Sequence, residues 1–405
     1  MGRLADALRQ QGLQAIAEIK RRSPSAGDLR PSADPAGIAP AYERAGAAAV
    51  SVLVDERFGG SWDDLRAARA TATLPLLAKG FFSTEEHLRE ARDAGADAVL
   101  LILRDLDDAT CAGLMRVAGA LGLDALVEAH DRAELERALA LGADVIGINA
   151  RDLGTFRIDR TAQLELVARA SLVAQSHMTA GRPPVVVAES GIQSRAQGAA
   201  AELAGADAIL VGSALMQAPD PAAKLAELLS RPLVKVCGLT HEEDVAAAAE
   251  AGADLAGFVL APESPRVAAD VLPVPDTMLS VAVWVGEPGG SPADLDQVHP
   301  REPGKVRGRD AAVLRRGRQV ATHLDLPWQE DDPEHWQRAA ATEGRVWLAG
   351  RLAADNVAAA IERVRPWAVD ASSRLETAPG VKDHAAVRAY VTAARRASLR
   401  QGAPA

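Results

Sequence analysis

The segment DAGADAVLLIL, residues Asp93–Leu103, decides the fold, because a helix-like stretch ends in Gly-Ala and an apolar run follows it directly. Glycine in this position is typical of a helix C-terminus, and an uninterrupted apolar run is typical of a strand buried on both faces. The pattern occurs five times, and its glycines lie mostly about 48 residues apart. They are Gly46, Gly95, Gly142, Gly205 and Gly252. The chain therefore predicts a repeated helix–strand unit.

A second apolar run lies inside these intervals, for example LPLLAKGF at Leu74–Phe81, so one strand–helix unit takes roughly 24 residues. Eight such runs precede Leu229. Eight parallel strands alternating with helices predict a closed (β/α)8 barrel of the α/β class. A doubly wound open sheet is the alternative, but it more often carries G-x-G-x-x-G after its first strand, which this chain lacks.

A boundary is expected near Ser230, where a helix followed by a proline ends the first unit and LVKVCGL restarts the pattern. A chain of 405 residues is too long for one ordinary domain. We therefore predict a first barrel over residues 1–230 and a second over 231–405, which makes two tandem (β/α)8 barrels.

The second barrel is predicted to be shortened and irregular around residues 286–320, where Pro, Gly and Arg dominate and helical periodicity is weak. This stretch has room for two short strands, around Gln297–His299 and Lys305–Val306, but hardly for the helices between them. The clear strands of this half are LVKVC, LAGFVL, LSVAVWV, QVATHLD, RVWLAG and WAVDAS.

Composition narrows the function classes. Lys+Arg 45 against Asp+Glu 55 gives a net charge of −10, which argues against nucleic acid as the main partner but leaves small anions open. No apolar run is long enough to span a membrane, and Met1–Gln11 lacks the apolar core of a secretory signal. The two cysteines indicate neither a disulfide framework nor a zinc site. We expect a cytoplasmic enzyme, a monomer, without a membrane partner.

Polar residues follow the apolar runs at the predicted strand ends. In barrels of this kind, the C-terminal strand ends face the active site. Several carboxylates and lysines in one barrel mouth would shift one another's pKa values, as acid–base catalysis requires. The residues are Glu18, Lys20, Lys79, Glu128, Asn149, Arg151, Glu189 and Ser190.

Two further segments suggest a phosphate. ESGI at Glu189–Ile192 and LVGSAL at Leu210–Leu215 each place Gly and Ser at a strand end that opens a helix. Backbone N–H groups there can bind an anion, and the seventh and eighth strands are where such barrels usually hold one. Lys20 or Arg151 could add positive charge.

Six motifs occur along the first half of the chain. In order, they are AEIKRRSPS, LLAKGFF, LVEAH, GINARDL, AESGI and LVGSALM. Together they resemble indole-3-glycerol phosphate synthase, over nearly all of residues 15–229. The resemblance implies a lyase of tryptophan biosynthesis that needs neither cofactor nor metal, since restored aromaticity drives loss of CO2.

The resemblance also implies roles for individual residues. Lys79 would be the general acid of ring closure, and Glu128 the general base of the later dehydration. Glu18 and Asn149 would orient the ribulose hydroxyls, and Glu189 would support the site. Whether Lys20 shares the acid role stays open.

Substrate binding is assigned by the same resemblance. The phosphate would be held by Lys20, Ser190, Gly191, Gly212 and Ser213. The anthranilate ring would be walled by Phe58, Phe81 and Leu153. Ser23 and Arg151 are counted with the binding residues.

The chain departs from the family pattern at three places. The family's K-D-F reads Lys79-Gly80-Phe81 here, and its N-N-R-D has Ala150 at the second position. The leading helical extension is almost absent, so either the start is misassigned or the aromatic end of the substrate is less well covered. We expect an active but weakened synthase.

The second half resembles phosphoribosylanthranilate isomerase, on LVKVCGLT and on EAGADLAGFVLAPESPR at Glu250–Arg266. The resemblance implies an Amadori rearrangement with Cys237 as general base and Asp325 as general acid. Arg266 matches a substrate-binding position. Cys111, by contrast, lies in an amphipathic helical pattern and is expected to belong to the core.

The phosphate loops of the isomerase family are altered. Asp325 is followed by acidic LPWQEDDPEHW instead of a glycine-rich loop, and arginine replaces a small residue at Arg351 and Arg374. Either these arginines bind phosphate by side chain, or they block it. Three interpretations of the chain stay open. The first is a synthase with an active or vestigial isomerase, and the second is a synthase with a non-catalytic C-terminal module. The third is a related phosphate-binding barrel with other chemistry.

Overall fold

The protein is described from a computed structural model, which covers residues 2–23, 26–152, 157–176, 182–302, 309–326 and 332–401. The chain divides into two compact units near Leu229, with the short segment Ser194–Gln197 grouped with the second unit. No helix in the described part of the chain combines the length and apolar character needed to cross a membrane.

The first unit is a closed barrel of eight parallel strands, which confirms the predicted fold class. The first strand closes the barrel by pairing with both the second and the eighth, at Ile16↔Ala49 and Gln14↔Ala208. The strands are β1 (Gln14–Ile19), β2 (Ala49–Leu53), β3 (Leu76–Lys79), β4 (Ala98–Ile102), β5 (Asp124–Ala129), β6 (Val145–Asn149), β7 (Val185–Glu189) and β8 (Ala208–Val211).

Helices surround these strands, and the recurring glycines follow the C-terminal ends of several helices, as the sequence predicts. Gly46, Gly95, Gly142 and Gly205 all have positive φ, between 71° and 110°, which is strained for any residue with a Cβ. The helices are α1 (Arg3–Leu8), α2 (Pro35–Arg44), α3 (Trp62–Arg69), α4 (Glu85–Asp93), α5 (Asp108–Ala120), α6 (Arg132–Ala140), α7 (Arg160–Ser176), α8 (Arg195–Ala204), α9 (Ser213–Gln217) and α10 (Pro221–Leu229).

The short helix α1 packs at the N-terminal end of the barrel. Leu4 and Leu8 are fully buried in one apolar cluster with lumen residues such as Ile16. The Asp124 carboxylate at the start of β5 accepts hydrogen bonds from the backbone N–H groups of Leu4 and Ala5, at 2.8 and 3.0 Å. This contact satisfies N–H groups that a helix start leaves without intrahelical partners. The opposite, C-terminal end carries the polar side chains.

The second unit is also a closed eight-stranded barrel, but it is mixed. Its fifth strand runs antiparallel to both neighbours, at Gln297↔Val313 and Ala312↔Thr322. The strands are β9 (Leu233–Cys237), β10 (Leu255–Val259), β11 (Leu279–Val285), β12 (Leu295–His299), β13 (Ala311–Arg315), β14 (Arg318–Leu324), β15 (Val346–Leu348) and β16 (Ala368–Ala371).

One sequence expectation is corrected here. The strand expected near Gln297–His299 is present as β12, and the fifth strand of the barrel is β13, which was not predicted as a strand. Lys305–Val306 lies outside the described residues. Only Arg316 and Gly317 join β13 to β14, and both have positive φ, 48° and 77°. A parallel connection needs a crossover of a dozen or more residues, so this two-residue turn forces a hairpin.

Helices of the second unit follow only some strands. Within residues 230–302, 309–326 and 332–401, they are α11 (Glu242–Ala251), α12 (His335–Ala340), α13 (Val357–Val364) and α14 (His384–Gln401). The described connections from β10 to β13 contain no helix, which accounts for the weak helical periodicity of this stretch. The irregular second barrel predicted from the sequence is therefore confirmed.

Candidate active site

A cavity of about 520 Å³ opens at the C-terminal end of the first barrel. Thirteen of the predicted site residues line it: Glu18, Lys20, Ser23, Phe58, Lys79, Phe81, Glu128, Asn149, Arg151, Ser190, Gly191, Gly212 and Ser213. Glu189 lies against Lys79, with its side chain only 1% exposed. Leu153 lies outside the described residues.

Lys79, the last residue of β3, is the centre of the charged cluster. Its Nζ atom lies 2.6 Å from Glu189 Oε2, 3.6 Å from Glu18 Oε2 and 3.9 Å from Glu128 Oε2. The three carboxylates come from β7, β1 and β5, so parallel strand ends bring them to one point. All three side chains are at most 4% exposed, which makes these interactions stronger than surface ion pairs.

Burial and mutual charge set the protonation of this cluster. Burial alone would lower the pKa of Lys79, but Glu189, Glu18 and Glu128 outweigh it and raise the pKa. Burial raises the pKa of Glu189, and the neighbouring charge of Glu128 adds to this effect although Lys79 opposes it. For Glu18, burial is outweighed by Lys20 and Lys79, so the pKa is lowered. The cluster thus favours the ammonium form of Lys79, beside carboxyl groups whose pKa values are shifted in opposite directions.

Two glycines make room for the carboxylates. A Cβ atom on Gly147 of β6 would lie 2.0 Å from Glu189 Oε1, and one on Gly212 would lie 2.2 Å from Glu18 Oε1. Real Cβ contacts are never this short, so any side chain at either position would displace a carboxylate. The glycines in GINARDL and LVGSALM are therefore part of the charged cluster's geometry, and not only turn formers.

The turns after β7 and β8 face the same cavity. Ser190 and Gly191 both have positive φ, 68° and 74°, so the backbone turns sharply as β7 ends. Gly212 precedes α9, which begins at Ser213. Lys20 Nζ lies 2.8 Å from Glu18 Oε1 and within the same lining, where it supplies positive charge near these turns. Backbone N–H groups and one lysine are a chemically suitable set for a phosphate.

The aromatic wall lies on the loops after β2 and β3. The rings of Phe58 and Phe81 stack with centroids 6.4 Å apart, and the guanidinium of Arg57 lies 3.9 Å from the centre of the Phe81 ring. Gly80, at the departure from K-D-F, is buried, and a Cβ there would meet the Phe82 ring at 3.0 Å. A flat apolar group can therefore be accommodated beside the charged cluster.

Asn149 and Arg151 line the cavity at the C-terminal end of β6. The Arg151 N–H donates to Asn149 Oδ1 at 3.0 Å, and the Asn149 side chain also hydrogen-bonds Glu128. Ala150, the other departure from the family pattern, is buried and its N–H donates to the Glu189 backbone carbonyl at 3.0 Å. Burial lowers the pKa of Arg151, although Glu18 opposes this effect.

The lumen of the second barrel contains a separate polar network. Lys235 Nζ, fully buried, lies 2.8 Å from Asp370 Oδ2, 2.7 Å from Gln297 Oε1 and 3.4 Å from Cys237 Sγ. His323 Nε2 lies 2.9 Å from the same Asp370 oxygen. Burial raises the pKa of the Cys237 thiol, an effect that Lys235 opposes and Asp370 reinforces. Cys111 is buried in the first barrel's core, as expected.

The residues of the second barrel that were predicted to contact a substrate interact with other residues of the chain. Arg266 makes a bidentate ion pair with Glu376, with N–O distances of 2.8 to 3.0 Å. Arg374 pairs in the same way with Asp355, at 2.8 and 3.0 Å. Arg351 has φ of 55°, so a side chain stands where the backbone adopts a conformation that favours glycine. Asp325 is buried just after β14, and its backbone carbonyl accepts from Arg309 at 2.8 Å.

Several residues of the first site were not identified from the sequence. Arg57 and Asp105 line the cavity from loops, where the strand-end rule gives no signal. His130 lies behind Glu128, two residues further along the chain, and this spacing was the available signal, because residues i and i+2 share a face of a strand. In the described part of the chain, no three His, Cys, Asp or Glu residues are grouped so that they could hold a metal ion.

Fold and site together define a (β/α)8-barrel enzyme that acts on a phosphorylated small molecule. The family model for indole-3-glycerol phosphate synthase matches residues 2–228, more than half of the chain, and the chain belongs to this family. A second model, N-(5'phosphoribosyl)anthranilate (PRA) isomerase, matches residues 333–393. The chain therefore joins a barrel of the synthase family to a second barrel, part of which matches the isomerase model.

Relatives with this name are similar along the first barrel. Indole-3-glycerol phosphate synthase 2 of Streptomyces coelicolor is 49% identical over 218 residues, which cover 54% of this chain and 81% of the relative. The Mycobacterium ulcerans synthase is 45% identical over 227 residues, covering 55% and 79% of the two chains. The Micrococcus luteus synthase is 48% identical over 216 residues, covering 52% and 76%.

Two solved structures are also similar to part of the chain. TrpF from Jonesia denitrificans is 29% identical, with a TM-score of 0.32, and the match covers 42% of this chain and 98% of that one. Phosphoribosyl anthranilate isomerase from Thermus thermophilus is 29% identical, with a TM-score of 0.34 and coverage of 42% and 100%.

Proposed function

We propose that the first barrel closes the indole ring of 1-(2-carboxyphenylamino)-1-deoxyribulose 5-phosphate and releases CO2 and water, giving indole-3-glycerol phosphate. The observation that carries this proposal is Lys79, an ammonium held by three buried carboxylates at the floor of a cavity that also has phosphate-type turns and an aromatic wall. A substrate with a phosphate at one end, a benzoate at the other and a ketone between them matches these three features.

Lys79 is proposed to donate a proton to the ketone oxygen as the ring carbon attacks. The carboxylates raise its pKa, so it enters the reaction as the ammonium, which is the form that a general acid requires. CO2 then leaves, and the benzene ring regains its aromaticity. In the dehydration that follows, Glu128 accepts the proton lost from the carbon next to the hydroxyl group, while the hydroxyl takes a proton from Lys20 or from reprotonated Lys79 and departs as water. Glu18 and Asn149 orient the hydroxyl groups, and Glu189 holds Lys79 in place from a distance of 2.6 Å.

The two ends of the substrate are assigned to the two ends of the cavity. Ser190, Gly191, Gly212 and Ser213 are proposed to bind the phosphate with backbone and hydroxyl donors, and Lys20 to supply charge. Phe58 and Phe81 are proposed to pack against the benzoate ring. Ser23 and Arg151 complete the lining between these regions.

The test is steady-state turnover of this substrate by the purified full chain. Lys79→Ala is expected to lower kcat by at least about 100-fold, the usual contribution of a positioned acid. Lys224→Ala is the matched control, since Lys224 lies on α10 in a surface pair with Glu227 and should leave turnover unchanged. Unchanged turnover in Lys79→Ala would refute the proposed role.

A second candidate function concerns the C-terminal barrel, which we propose contributes no isomerase turnover. Two ion pairs support this proposal: Arg374 pairs with Asp355, and Arg266 pairs with Glu376. Each guanidinium would have to break its ion pair before it could bind a phosphate. The alternative is an isomerase with Cys237 as base and Asp325 as acid. Growth of an isomerase-deficient strain that depends on Cys237 would establish the alternative.

We further propose that the chain acts as a monomer in the cytoplasm and binds neither nucleic acid nor membrane. Both cysteines are free and buried, so folding needs no oxidising compartment. Sedimentation equilibrium of the active protein and cell fractionation test the two statements.

A further inference from the structure

A row of charged side chains extends from Glu128 away from the cavity. His130 Nε2 lies 3.2 Å from Glu128 Oε1, and His130 Nδ1 lies 3.0 Å from Glu134 Oε2. Arg104 Nε donates to Glu134 Oε1 at 3.3 Å from the loop after β4. The two ring nitrogens of one histidine thus face two different carboxylates.

This histidine is buried as deeply as the carboxylates beside it. The His130 side chain is 2% exposed, against 3% for Glu128 and 9% for Glu134. The backbone also fixes its position, because the backbone N–H of His130 donates a hydrogen bond to Glu134 Oε2 at 2.8 Å, near the start of α6. Burial would lower the pKa of His130, but Glu128 and Glu134 outweigh it and raise the pKa. An imidazolium is therefore the form that fits this position.

His130 is the nearer of the two cations that face Glu128. Lys79 approaches Glu128 only to 3.9 Å and lies closer to Glu189 and Glu18, whereas His130 approaches to 3.2 Å. Among the described residues, Asn149 of β6 also donates a hydrogen bond to Glu128, and Glu189 of β7 lies close enough for the Glu128 charge to raise its pKa. The distance of 3.2 Å between His130 Nε2 and Glu128 Oε1 is short enough for an ion pair when the ring is protonated.

We propose that His130 is a positioning residue for the general base: its imidazolium, held between Glu128 and Glu134, keeps the Glu128 carboxylate charged and fixed in the cavity wall. This inference rests on the proposed function, because it assigns His130 a task only if Glu128 accepts a proton during turnover. His130 does not line the cavity with the substrate-binding residues, so it acts through Glu128 alone.

The inference predicts a pH-dependent defect. Without the imidazolium, burial raises the pKa of Glu128, so the base becomes protonated as the pH falls. The ratio of His130→Gln to wild-type kcat is expected to fall by about tenfold between pH 8 and pH 5.5. KM should change little at either pH, because the contacts to substrate are intact.

The experiment measures kcat and KM of the full chain from pH 5.5 to pH 8 for wild type, His130→Gln and Glu134→Gln. Glu134→Gln should shift the profile in the same direction by a smaller amount, and it carries the test if His130→Gln does not fold. His87→Gln is the matched control, since His87 lies on α4 beside the Phe82 ring and not between Glu128 and Glu134. The ratio of its kcat to the wild-type kcat should not change with pH.

Two results separate the possible failures. If both variants lose activity equally at every pH, with unchanged profiles, His130 is only structural and the inference is overturned while the proposed function stands. If the wild-type chain does not turn over the substrate at all, the proposed function fails, and the inference fails with it.

Discussion

Replacement of Lys79 by methionine tests the charged cluster through stability as well as activity. The side chain keeps its length but loses its charge, so Glu18, Glu128 and Glu189 all lose one partner. Glu18 keeps Lys20 at 2.8 Å, and Glu128 keeps His130 at 3.2 Å. Glu189, only 1% exposed and 2.6 Å from Lys79 Nζ, has no second cation among its ion pairs in the described residues. The variant should behave as a protein with one unpaired buried carboxylate.

The expected loss of stability follows from this one unpaired carboxylate. Removal of one partner from a buried pair typically destabilises by about 3–5 kcal/mol, because the remaining charge stays buried. The loss should depend on pH in a defined direction. A carboxyl group whose folded-state pKa is raised binds its proton more tightly when folded, so destabilisation is small at or below the unfolded-state pKa of about 4.3 and grows as pH rises towards the folded-state value.

The double variant Lys79→Met/Glu189→Gln distinguishes this reasoning from general disruption of the barrel. It should recover most of the lost stability but none of the activity, since the neutral amide needs no cation. Urea titration with hydrogen–deuterium exchange of peptides from β3 and β7 reports on the first barrel alone. Equal destabilisation at pH 5 and pH 8, or no recovery in the double variant, would refute the assignment of the loss to Glu189.

Two other predictions concern single positions. Gly147→Ala should destabilise the first barrel by about 1–3 kcal/mol and lower kcat, because the new Cβ would lie 2.0 Å from Glu189 Oε1; Gly113→Ala, on α5 with open space around it, should instead be neutral or slightly stabilising in the same urea titration. Burial would raise the pKa of Asp370, but Lys235 and His323 lower it to about 2. The second barrel should therefore lose about 2 kcal/mol as pH falls from about 4 to about 2, measured by acid titration of circular dichroism, and a flat stability across this window would contradict the ion-pair geometry.

The first barrel could be predicted because each of its units carries its own local signal. Gly95, for example, ends α4 and is followed at once by the fully buried strand β4, so the periodicity of the chain is also the periodicity of the fold. The strand-end rule then placed Lys79, Glu18, Glu128 and Glu189 on one rim without knowledge of any distance.

The internal order of the site could not be predicted in the same way. Lys79 lies 2.6 Å from Glu189 but 3.9 Å from Glu128, and this difference depends on packing inside the barrel, where Gly147 leaves the space that the Glu189 carboxylate occupies. Arg57 reaches the cavity from a loop, where no period applies. His130 was within reach of sequence reasoning, since its spacings of two from Glu128 and four from Glu134 place all three side chains together.

The reversed strand β13 shows a signal that was present and not used. Between two apolar runs the sequence reads Arg316-Gly317, which is the length of a hairpin turn and far too short for a helical crossover. Residues 311–315 were not predicted as a strand, and a short strand was expected near Lys305–Val306 instead, so this turn was not considered. Turn length is a steric limit, which makes it a good guide to strand direction where a barrel becomes irregular.

The second barrel also shows why an intact lumen is weak evidence for catalysis. Lys235 and Asp370 are buried together with His323 and Gln297, and loss of either charge would leave the other unpaired inside the barrel. The fold itself therefore requires these residues, whether or not the barrel turns over a substrate. Arg351 and Arg374 are exposed at the rim, where a substitution typically has little effect on folding. The proposal that this half has no isomerase turnover therefore depends on these rim residues, and the buried Cys237 does not decide it.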